Sequence, residues 1–325
     1  MMTSTMTEIN PQQHHTSVHH PFIYLDGEYR PAVEASIPIT TQAFNYGTGV
    51  FEGIRAYLTE DKHTLNVFQL DAHIERFINS SKLLLIDHLP SHQEMKAIIL
   101  ELLRKNQAST DCYIRPIAFK KSLLPGQGFG VKLSGVSSGL AINSLNMPSV
   151  STQKSLRCTI SNWRRVADNS IPARAKITGS YINSALAMES AYRAGYDDAI
   201  MLNVHGNIAE ATTSNVFLVK KNKLITPATN SHILEGITRS TVMTLATEEL
   251  GLEVEERDIS PSEIFAANEC FLTGTGMEVS PIVQIDHCDF NSAEPHSITA
   301  EIQRLYIKSV RGQLSQFQHW LTNVN

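Results

Sequence analysis

The segment spanning residues 197–228 constrains the fold more than any other part of the chain. Its sequence, DDAIMLNVHGNIAEATTSNVFLVKKNKLITPA, predicts three strands in succession, with turns near His205-Gly206 and near Lys221-Asn222. Strands joined by such short turns pair antiparallel, because a parallel pair needs a crossover of roughly a dozen residues or more. We therefore expect mostly antiparallel pairing, and the pattern excludes a doubly wound nucleotide-binding fold.

The rest of the chain predicts a mixed α+β fold with two domains. A hairpin around Asp26-Gly27, a helix capped by Asp71 and a helix with a Ser91–Glu94 capping box are expected in the first half. A closing helix is expected over residues 297–321. The predicted divisions are a disordered leader over 1–20, a small α+β domain over 21–145, an interdomain loop over 146–155 and a larger, β-rich domain with flanking helices over 156–325.

Composition removes several classes of function. The 325 residues carry a net charge of −5, which leaves no basic excess for nucleic acid or anionic lipid. The four cysteines lack CxxC or zinc-like spacing. No apolar run approaches the roughly 20 residues of a membrane span, and the first residues lack the apolar and basic regions of a signal peptide. We expect a soluble, cytoplasmic protein without a bound metal.

The histidines of the N-terminal segment have two interpretations. His14, His15, His19 and His20 are spaced so that pairs of imidazoles could share a metal ion. The alternative is a polar, disordered leader whose histidines have no function, and we favour this second interpretation.

Lys176 is the first candidate for chemistry. It lies in IPARAKITGSY among small and apolar residues, with no acidic residue within four positions on either side. An amine in such surroundings loses solvation in its charged form, so its pKa falls and it becomes nucleophilic. Such lysines form Schiff bases with carbonyl substrates or with pyridoxal phosphate. The alternative is a lysine that extends to the surface along its alkyl chain.

A pyridoxal phosphate site needs three further groups, and the sequence offers a candidate for each. Gly236, Ile237 and Thr238 at a helix start, with the Thr-Gly loop of LTGTGME, suit a phosphate. Glu210 in NIAEATTSN suits the ring nitrogen, although it could equally be a solvent-facing strand residue. Arg115, inside the apolar strand YIRPIAF, suits a substrate carboxylate. These residues alone indicate an enzyme that uses a carbonyl group or pyridoxal phosphate.

Six blocks of sequence occur in the order typical of class IV aminotransferases. They are FNYGTGVFEGIRAY (44–57), YIRP (113–116), AKITGSY (175–181), EATTSN (210–215), EGITR (235–239) and TGTGMEVSPI (273–282). From about residue 22 to about residue 315, the chain resembles this family, and within it most of all the branched-chain-amino-acid aminotransferases. The resemblance implies the two-domain architecture of fold type IV. It also implies ping-pong transamination of leucine, isoleucine and valine with 2-oxoglutarate, which gives glutamate and branched-chain 2-oxo acids.

The resemblance also implies a role for each site residue. Lys176 would hold pyridoxal 5′-phosphate through a Schiff base and then transfer the proton. Glu210 would pair with the ring nitrogen and Tyr181 with the phenolic oxygen. The implied phosphate ligands are Arg76, Ile237, Thr238 and Thr275. The implied substrate-binding residues are Tyr46, Phe51, Gly53, Tyr113, Arg115, Thr275 and Gly276, together with Arg55, which either lines the pocket or pairs with Glu52.

Rival functions within the same fold stay open. Ser214 stands where many bacterial relatives have glutamate, and D-amino-acid transaminases share this serine. The interdomain stretch SLNMPS lacks the tryptophan of some relatives. These features fit a D-amino-acid or (R)-amine transaminase, while Tyr113 and Arg115 favour branched-chain substrates. An aminodeoxychorismate-lyase-like enzyme is a further alternative, and a cofactor-binding protein without catalysis is another. Relatives complete their site with a neighbouring subunit, which the 120–130 loop reaches, so we expect a homodimer or a larger homo-oligomer.

Overall fold

The computed structural model describes residues 18–121, 128–150 and 155–324. The predicted leader up to residue 17, with His14 and His15, and residues 122–127 of the predicted inter-subunit loop lie outside these ranges. His20 is buried, and its two ring nitrogens lie 2.8 Å from Ser144 Oγ and 2.8 Å from Asn146 Oδ1. Its amide also donates to the Ser144 carbonyl. The leader prediction is therefore wrong for His20, because these hydrogen bonds fix it to the first sheet.

The described strands form two sheets. In chain order they are β1 (Phe22–Leu25), β2 (Glu28–Pro31), β3 (Gly49–Phe51), β4 (Ile54–Leu58), β5 (Leu65–Phe68), β6 (Cys112–Lys120), β7 (Ser138–Asn146), β8 (Leu156–Arg164), β9 (Asp198–Leu202), β10 (Ile208–Ala211), β11 (Asn215–Lys220), β12 (Lys223–Thr226), β13 (Glu253–Glu256), β14 (Glu269–Gly274), β15 (Glu278–Ile285), β16 (Cys288–Asp289) and β17 (Leu321–Asn323).

Helices cover parts of both sheets. They are α1 (Gln42–Tyr46), α2 (Leu70–Leu83), α3 (His92–Lys105), α4 (Tyr181–Arg193), α5 (Ile237–Leu250), α6 (Pro261–Ile264) and α7 (Ile298–Val310). The Ser91–Glu94 capping box of α3 is confirmed. The predicted cap of α2 is wrong, because Gln69 occupies the N-cap and Asp71 instead contacts Lys96 at 2.8 Å. Within the described ranges, no helix is long and apolar enough to cross a membrane.

The first sheet is antiparallel throughout. Its order is β17-β5-β4-β6-β7-β1-β2, with β3 against β6. The predicted closing helix is too long, because α7 ends at Val310 and Gly312 adopts a positive φ of 75°. The chain then returns, and β17 pairs with β5. The predicted second domain, 156–325, therefore needs a correction, since its last strand belongs to the sheet of the first.

The second sheet has the order β10-β9-β8-β15-β14-β11-β12-β13, with β16 against β15. Residues 197–228 form four strands rather than the predicted three, because Thr212 to Ser214 break the central one into β10 and β11. The turn at Lys221-Asn222 is confirmed, with φ of 52° and 59°. Most pairings are antiparallel, as predicted, and three are parallel: β12–β13, β15–β8 and β8–β9. The predicted α+β class is thus confirmed.

The two sheets meet beside Lys176. Val50 of β3 bridges to Ile177, and both pack in a core that extends across the first sheet. A second core joins Tyr57 and Phe68 of the first sheet to Phe217 and Phe271 of the second. Ile177 is thus tied to the first sheet, and Lys176 lines a cavity together with Glu210 of β10, which places the lysine at the junction of the two sheets.

Candidate active site

Backbone contacts hold Lys176 against the first sheet. The Phe51 amide donates to the Lys176 carbonyl at 3.0 Å, and the Lys176 amide donates to Ser80 Oγ of α2 at 3.3 Å. The Lys176 Nζ donates to the hydroxyl of Tyr181, the first residue of α4, at 2.9 Å. Backbone and amine are thus fixed separately, so the amine has a defined position between the sheets.

The surroundings of Lys176 favour its neutral form. Burial first, and then the positive charge of Arg76, lower the pKa of its amine to about 8 against the opposing effects of Glu52, Tyr113 and Glu210. At pH 7 a pKa of about 8 leaves roughly one tenth of the amine neutral, against roughly one part in three thousand for an ordinary lysine. Burial raises the pKa of Tyr181, so its hydroxyl keeps its proton. The predicted nucleophilic lysine therefore has the environment that the chemistry requires.

Glu210 is buried on β10, and three neighbours hold its carboxylate. Arg165 forms an ion pair with Oε1 at 2.7 Å, while Asn215 Nδ2 and the Leu234 amide donate to Oε2 at 3.0 and 3.2 Å. Burial raises the pKa of Glu210, and Arg165 opposes this. The solvent-facing alternative for Glu210 is wrong, since it is 4% exposed. Sequence reasoning missed Arg165 and Asn215, although the adjacent arginines of NWRR were a signal.

Arg76 is held by a second buried carboxylate, Glu52, which the sequence suggested only as a possible partner of Arg55. From α2, Arg76 Nε and Nη2 donate to Glu52 at 2.7 and 2.9 Å, and Nη1 donates to the Glu235 carbonyl at 2.8 Å. His73 Nδ1 lies 2.8 Å from the same carboxylate. Burial raises the pKa of Glu52, but Arg76 and His73 outweigh it and hold that pKa well below its usual range. Arg76 therefore points toward the start of α5 in a fixed orientation.

The N-terminus of α5 faces the same region. Gly236 is its N-cap, and Ile237 and Thr238 are its first two residues. A Cβ at Gly236 would lie 2.0 Å from Asn215 Oδ1, so only glycine fits here. Asn215 also holds Glu210, which links the helix start to the buried carboxylate. Free amides at a helix N-terminus beside an arginine form an anion-binding site.

A row of side chains continues from Lys176 into the first sheet. The Lys176 Nζ lies 5.0 Å from the ring centre of Phe51, which itself contacts Tyr181 at 4.7 Å between centroids. The Arg115 guanidinium lies 4.5 Å from the Phe51 ring centre, and its Nη2 donates to the Tyr113 hydroxyl at 2.6 Å. The structure therefore brings the amine and four predicted site residues into one connected group.

Gly53 makes room for this group. A Cβ at Gly53 would lie 2.2 Å from the Tyr113 hydroxyl, so any side chain would displace the tyrosine. In the second sheet, Thr275 and Gly276 are half-buried in the turn that joins β14 to β15. Thr273 of β14 pairs in register with Asn215, the partner of Glu210. The turn thus lies at the end of the strand beside the carboxylate.

Two predicted site residues have other surroundings. Arg55 does not pair with Glu52; its Nη2 donates to the Met147 carbonyl at 2.8 Å and lies 3.6 Å from Glu278. Tyr46 ends α1 and is 42% exposed. The structure therefore brings Tyr46 to the surface beside the site, and does not bring it into contact with Lys176.

Two adjoining cavities share Ala175 in their walls. One, about 20 Å³, lies between Lys176, Tyr181 and Glu210, and the other, about 640 Å³, contains Arg76 and the start of α5. A cavity of about 960 Å³ lies elsewhere, against α7 and Asp111, where Arg311 and Asp111 pair with each other. We assign the site to the first pair because they contain the low-pKa amine, the buried carboxylate and the anion-binding donors.

This donor set fits pyridoxal 5′-phosphate. The amine of Lys176 suits its aldehyde, and the buried carboxylate of Glu210 suits a protonated ring nitrogen. Arg76 and the α5 amides suit its phosphate.

Comparison with known proteins gives concordant matches. Residues 49–285 match the family model described as amino-transferase class IV. A probable branched-chain-amino-acid aminotransferase of Aquifex aeolicus is 43% identical over 93% of this chain and 96% of its own. The branched-chain aminotransferase of Thermoproteus uzoniensis, solved with norvaline, superposes with a TM-score of 0.88 at 35% identity, covering 94% of this chain and all of that one. The branched-chain amino acid aminotransferase of Thermobaculum terrenum, solved in its PLP-form, superposes with a TM-score of 0.88 at 35% identity, covering 95% of this chain and 100% of its own.

Proposed function

The chain belongs to the class IV aminotransferases, and from this premise we propose that it transfers the amino group of L-leucine, L-isoleucine and L-valine to 2-oxoglutarate with pyridoxal 5′-phosphate. The products are branched-chain 2-oxo acids and L-glutamate. The relatives reported above carry the name of this activity over nearly the full length of the chain. The observation that carries the proposal is the group formed by Lys176, Tyr181, Phe51, Arg115 and Tyr113.

We assign the cofactor to four protein groups. Lys176 would bind it covalently, Glu210 would hold the ring nitrogen, and Arg76 with the first amides of α5 would hold the phosphate. Tyr181, which accepts a hydrogen bond from Lys176 Nζ, would serve the phenolic oxygen. When bound, pyridoxal phosphate supplies an electron-accepting ring for the negative charge that develops at the substrate α-carbon.

Lys176 moves the proton in this proposal. Its amine is neutral in an appreciable fraction near neutral pH, because burial and Arg76 lower its pKa to about 8. A base with a pKa near the working pH accepts and returns a proton efficiently. Tyr181 fixes the direction of the amine through the 2.9 Å hydrogen bond. Glu210 stays close to Arg165, which favours its ionised form against the effect of burial.

One pocket serves both substrates in turn. Phe51 and the aliphatic part of the lysine give an apolar surface for a branched side chain. Arg115 contacts the hydroxyl of Tyr113, and among the described residues no carboxylate pairs with it. Its guanidinium therefore has donors for the side-chain carboxylate of 2-oxoglutarate. We propose that Tyr113 and the Thr275–Gly276 amides bind the α-carboxylate that both substrates share.

We further propose that the protein is a homodimer. Two segments of the chain lie side by side, because Gln42 Nε2 donates to the Gly130 and Lys132 carbonyls. Both segments expose large apolar residues. The exposed residues on these segments are Ile39, Phe44, Tyr46, Phe129 and Val131. Such a contiguous apolar surface is typical of a protein interface.

We also propose a cytoplasmic location, because Cys112, Cys158, Cys270 and Cys288 are all free thiols.

A panel of half-reactions tests the function. The pyridoxal form of the protein is mixed with one amino donor at a time, and the loss of the cofactor's visible absorbance is followed. We expect conversion by L-leucine, L-isoleucine and L-valine, and glutamate production when 2-oxoglutarate is added. Turnover of D-alanine without turnover of these three would instead support the D-amino-acid alternative, with which the buried Ser214 is compatible.

A further inference from the structure

Glu278 combines two unfavourable features. It is fully buried, and its φ of 53° lies in the left-handed region that favours glycine. A buried carboxylate also loses hydration, which is costly unless hydrogen bonds replace it. Glu278 follows the turn of residues 275–277 directly and begins β15. A buried carboxylate with a positive φ, at the end of the turn proposed to bind a carboxylate, therefore needs specific hydrogen-bond donors to stabilise it.

The contacts of Glu278 come from two other parts of the fold. The Tyr57 hydroxyl, from β4 of the first sheet, donates to Oε1 at 2.8 Å. Ser149 Oγ and the Val150 amide, from the segment that leads out of the first sheet, donate to Oε2 at 2.7 and 3.0 Å. One carboxylate therefore joins the turn, the first sheet and the segment 147–150, which we call the connecting segment.

Arg55 holds the other end of the connecting segment. Its Nη2 donates to the Met147 carbonyl at 2.8 Å and lies 3.6 Å from Glu278 Oε1. Arg55 pairs in register with Tyr113, so their side chains lie on the same face of the sheet. The position of the connecting segment is thus tied to the face that carries Tyr113.

We propose that Glu278 is a positioning residue of the transaminase reaction. It fixes the distance between the 275–277 turn and Tyr113, the two groups proposed to bind the substrate α-carboxylate, and it holds the connecting segment between the turn and the first sheet. This inference rests on the proposed function, because the turn acquires its role from it. Glu278 itself acts through the backbone amides of the turn and through Ser149 and Val150.

The Glu278→Gln variant tests the proposal, with Glu269→Gln as matched control. Glu269 is a buried carboxylate of the neighbouring β14, but it accepts hydrogen bonds from Ile298 and Thr299 at the start of α7. For E278Q we expect KM for L-leucine to rise about tenfold or more, with a smaller change in kcat, because loss of a charged hydrogen-bond partner weakens substrate positioning. E269Q is expected to lower thermal stability and leave KM unchanged.

Amide hydrogen exchange supplies a second measurement that needs no activity. The Val150 amide donates to Glu278, so exchange at the Ser149 and Val150 amides is expected to be at least about tenfold faster in E278Q and unchanged in E269Q. If wild-type protein turns over none of the donors, the proposed function fails, and exchange alone decides whether Glu278 holds the connecting segment.

Two smaller changes keep the proposal testable if E278Q does not fold. Tyr57→Phe and Ser149→Ala each remove one donor to the carboxylate and leave the charge in place. Each is expected to raise KM for L-leucine by about threefold to tenfold. Unchanged KM in both variants, or unchanged KM and exchange in E278Q, would overturn the assignment.

Discussion

The cofactor side and the substrate side of the site differ in how their charges are paired. Arg76 donates twice to Glu52, and Glu210 forms an ion pair with Arg165. Both carboxylates are buried. Arg115, on the substrate side, instead contacts the Tyr113 hydroxyl and the face of the Phe51 ring.

This difference follows from what each side has to bind. A cofactor presents the same groups in every turnover, so its partners can be fixed in advance by buried ion pairs, which lowers the reorganisation needed during the reaction. The substrate side has to accept an apolar side chain and a carboxylate alternately. An arginine stacked on an aromatic ring satisfies both, because the ring stabilises the cation when no carboxylate is bound. Variants on the two sides should therefore fail in different ways.

Lys176→Ala is expected to have the largest effect. The variant loses both the covalent attachment and the base, so we expect kcat for leucine with 2-oxoglutarate to fall by about 10⁴-fold or more. Lys120 supplies the control, since it is another buried lysine and its amine donates to the Leu85 and Val136 carbonyls. Lys120→Met is expected to lower the melting temperature while the folded fraction retains its kcat. Equal activity losses in the two variants would contradict the role of Lys176.

Glu210→Gln tests the fixed side of the comparison. The amide keeps the volume and can still accept from Asn215 and Leu234, but it cannot hold a proton on the ring nitrogen through a charge pair. We expect kcat to fall by about 10²-fold to 10³-fold, as for the loss of one electrostatic contact to developing charge. The measurement is kcat for both half-reactions. A loss confined to one of them would show that Glu210 belongs to the substrate side.

The sequence offered candidates for the residues that carry chemistry, but it did not offer the residues that hold those candidates in place. Lys176 stood out because no acid lies near it in the sequence, and Arg115 because it interrupts an apolar strand, whereas Glu210 was equally compatible with a solvent-facing strand position. Arg165 was marked only by its place in the arginine pair of NWRR, because Arg165 and Asn215 come close to their partner Glu210 only when β8, β10 and β11 are assembled. Pairing across a sheet depends on register, which local patterns do not determine.

The same limit explains the errors in the fold. The capping box of α3 was predictable because both of its residues lie within one turn. The end of the last helix was not, because the residues after Gly312 gain their strand partner from β5, more than two hundred residues earlier. The contacts of the connecting segment were unpredictable for the same reason, since its partners Arg55 and Glu278 come from both sheets.

Arg115→Ala tests the adaptable side. The 2-oxoglutarate half-reaction should lose about 10²-fold in kcat/KM, because its side-chain carboxylate loses a bidentate charged partner. The leucine half-reaction should change by only about threefold, since leucine has no such carboxylate. Arg165→Ala is the contrasting variant, because it removes a cation from the cofactor side and is expected to impair both half-reactions equally. Equal losses in Arg115→Ala would show that its guanidinium has no selective role.

Glu52→Gln tests the fixed geometry of the cofactor side, and we expect it to have the smallest effect of these variants. Two consequences compete: a neutral partner increases the positive charge available to a phosphate, whereas loss of the two-point contact leaves Arg76 less fixed. The loss of orientation should be the larger effect, because Glu52 binds the Arg76 guanidinium at both Nε and Nη2. We therefore expect the cofactor to bind about tenfold more weakly, while kcat of the saturated enzyme changes little. Titration of cofactor-depleted protein with pyridoxal phosphate measures this. Glu256→Gln, which removes the partner of Arg239 near the same helix, controls for a general change of charge. Tighter binding in Glu52→Gln would mean that this side is limited by charge rather than by fixed geometry.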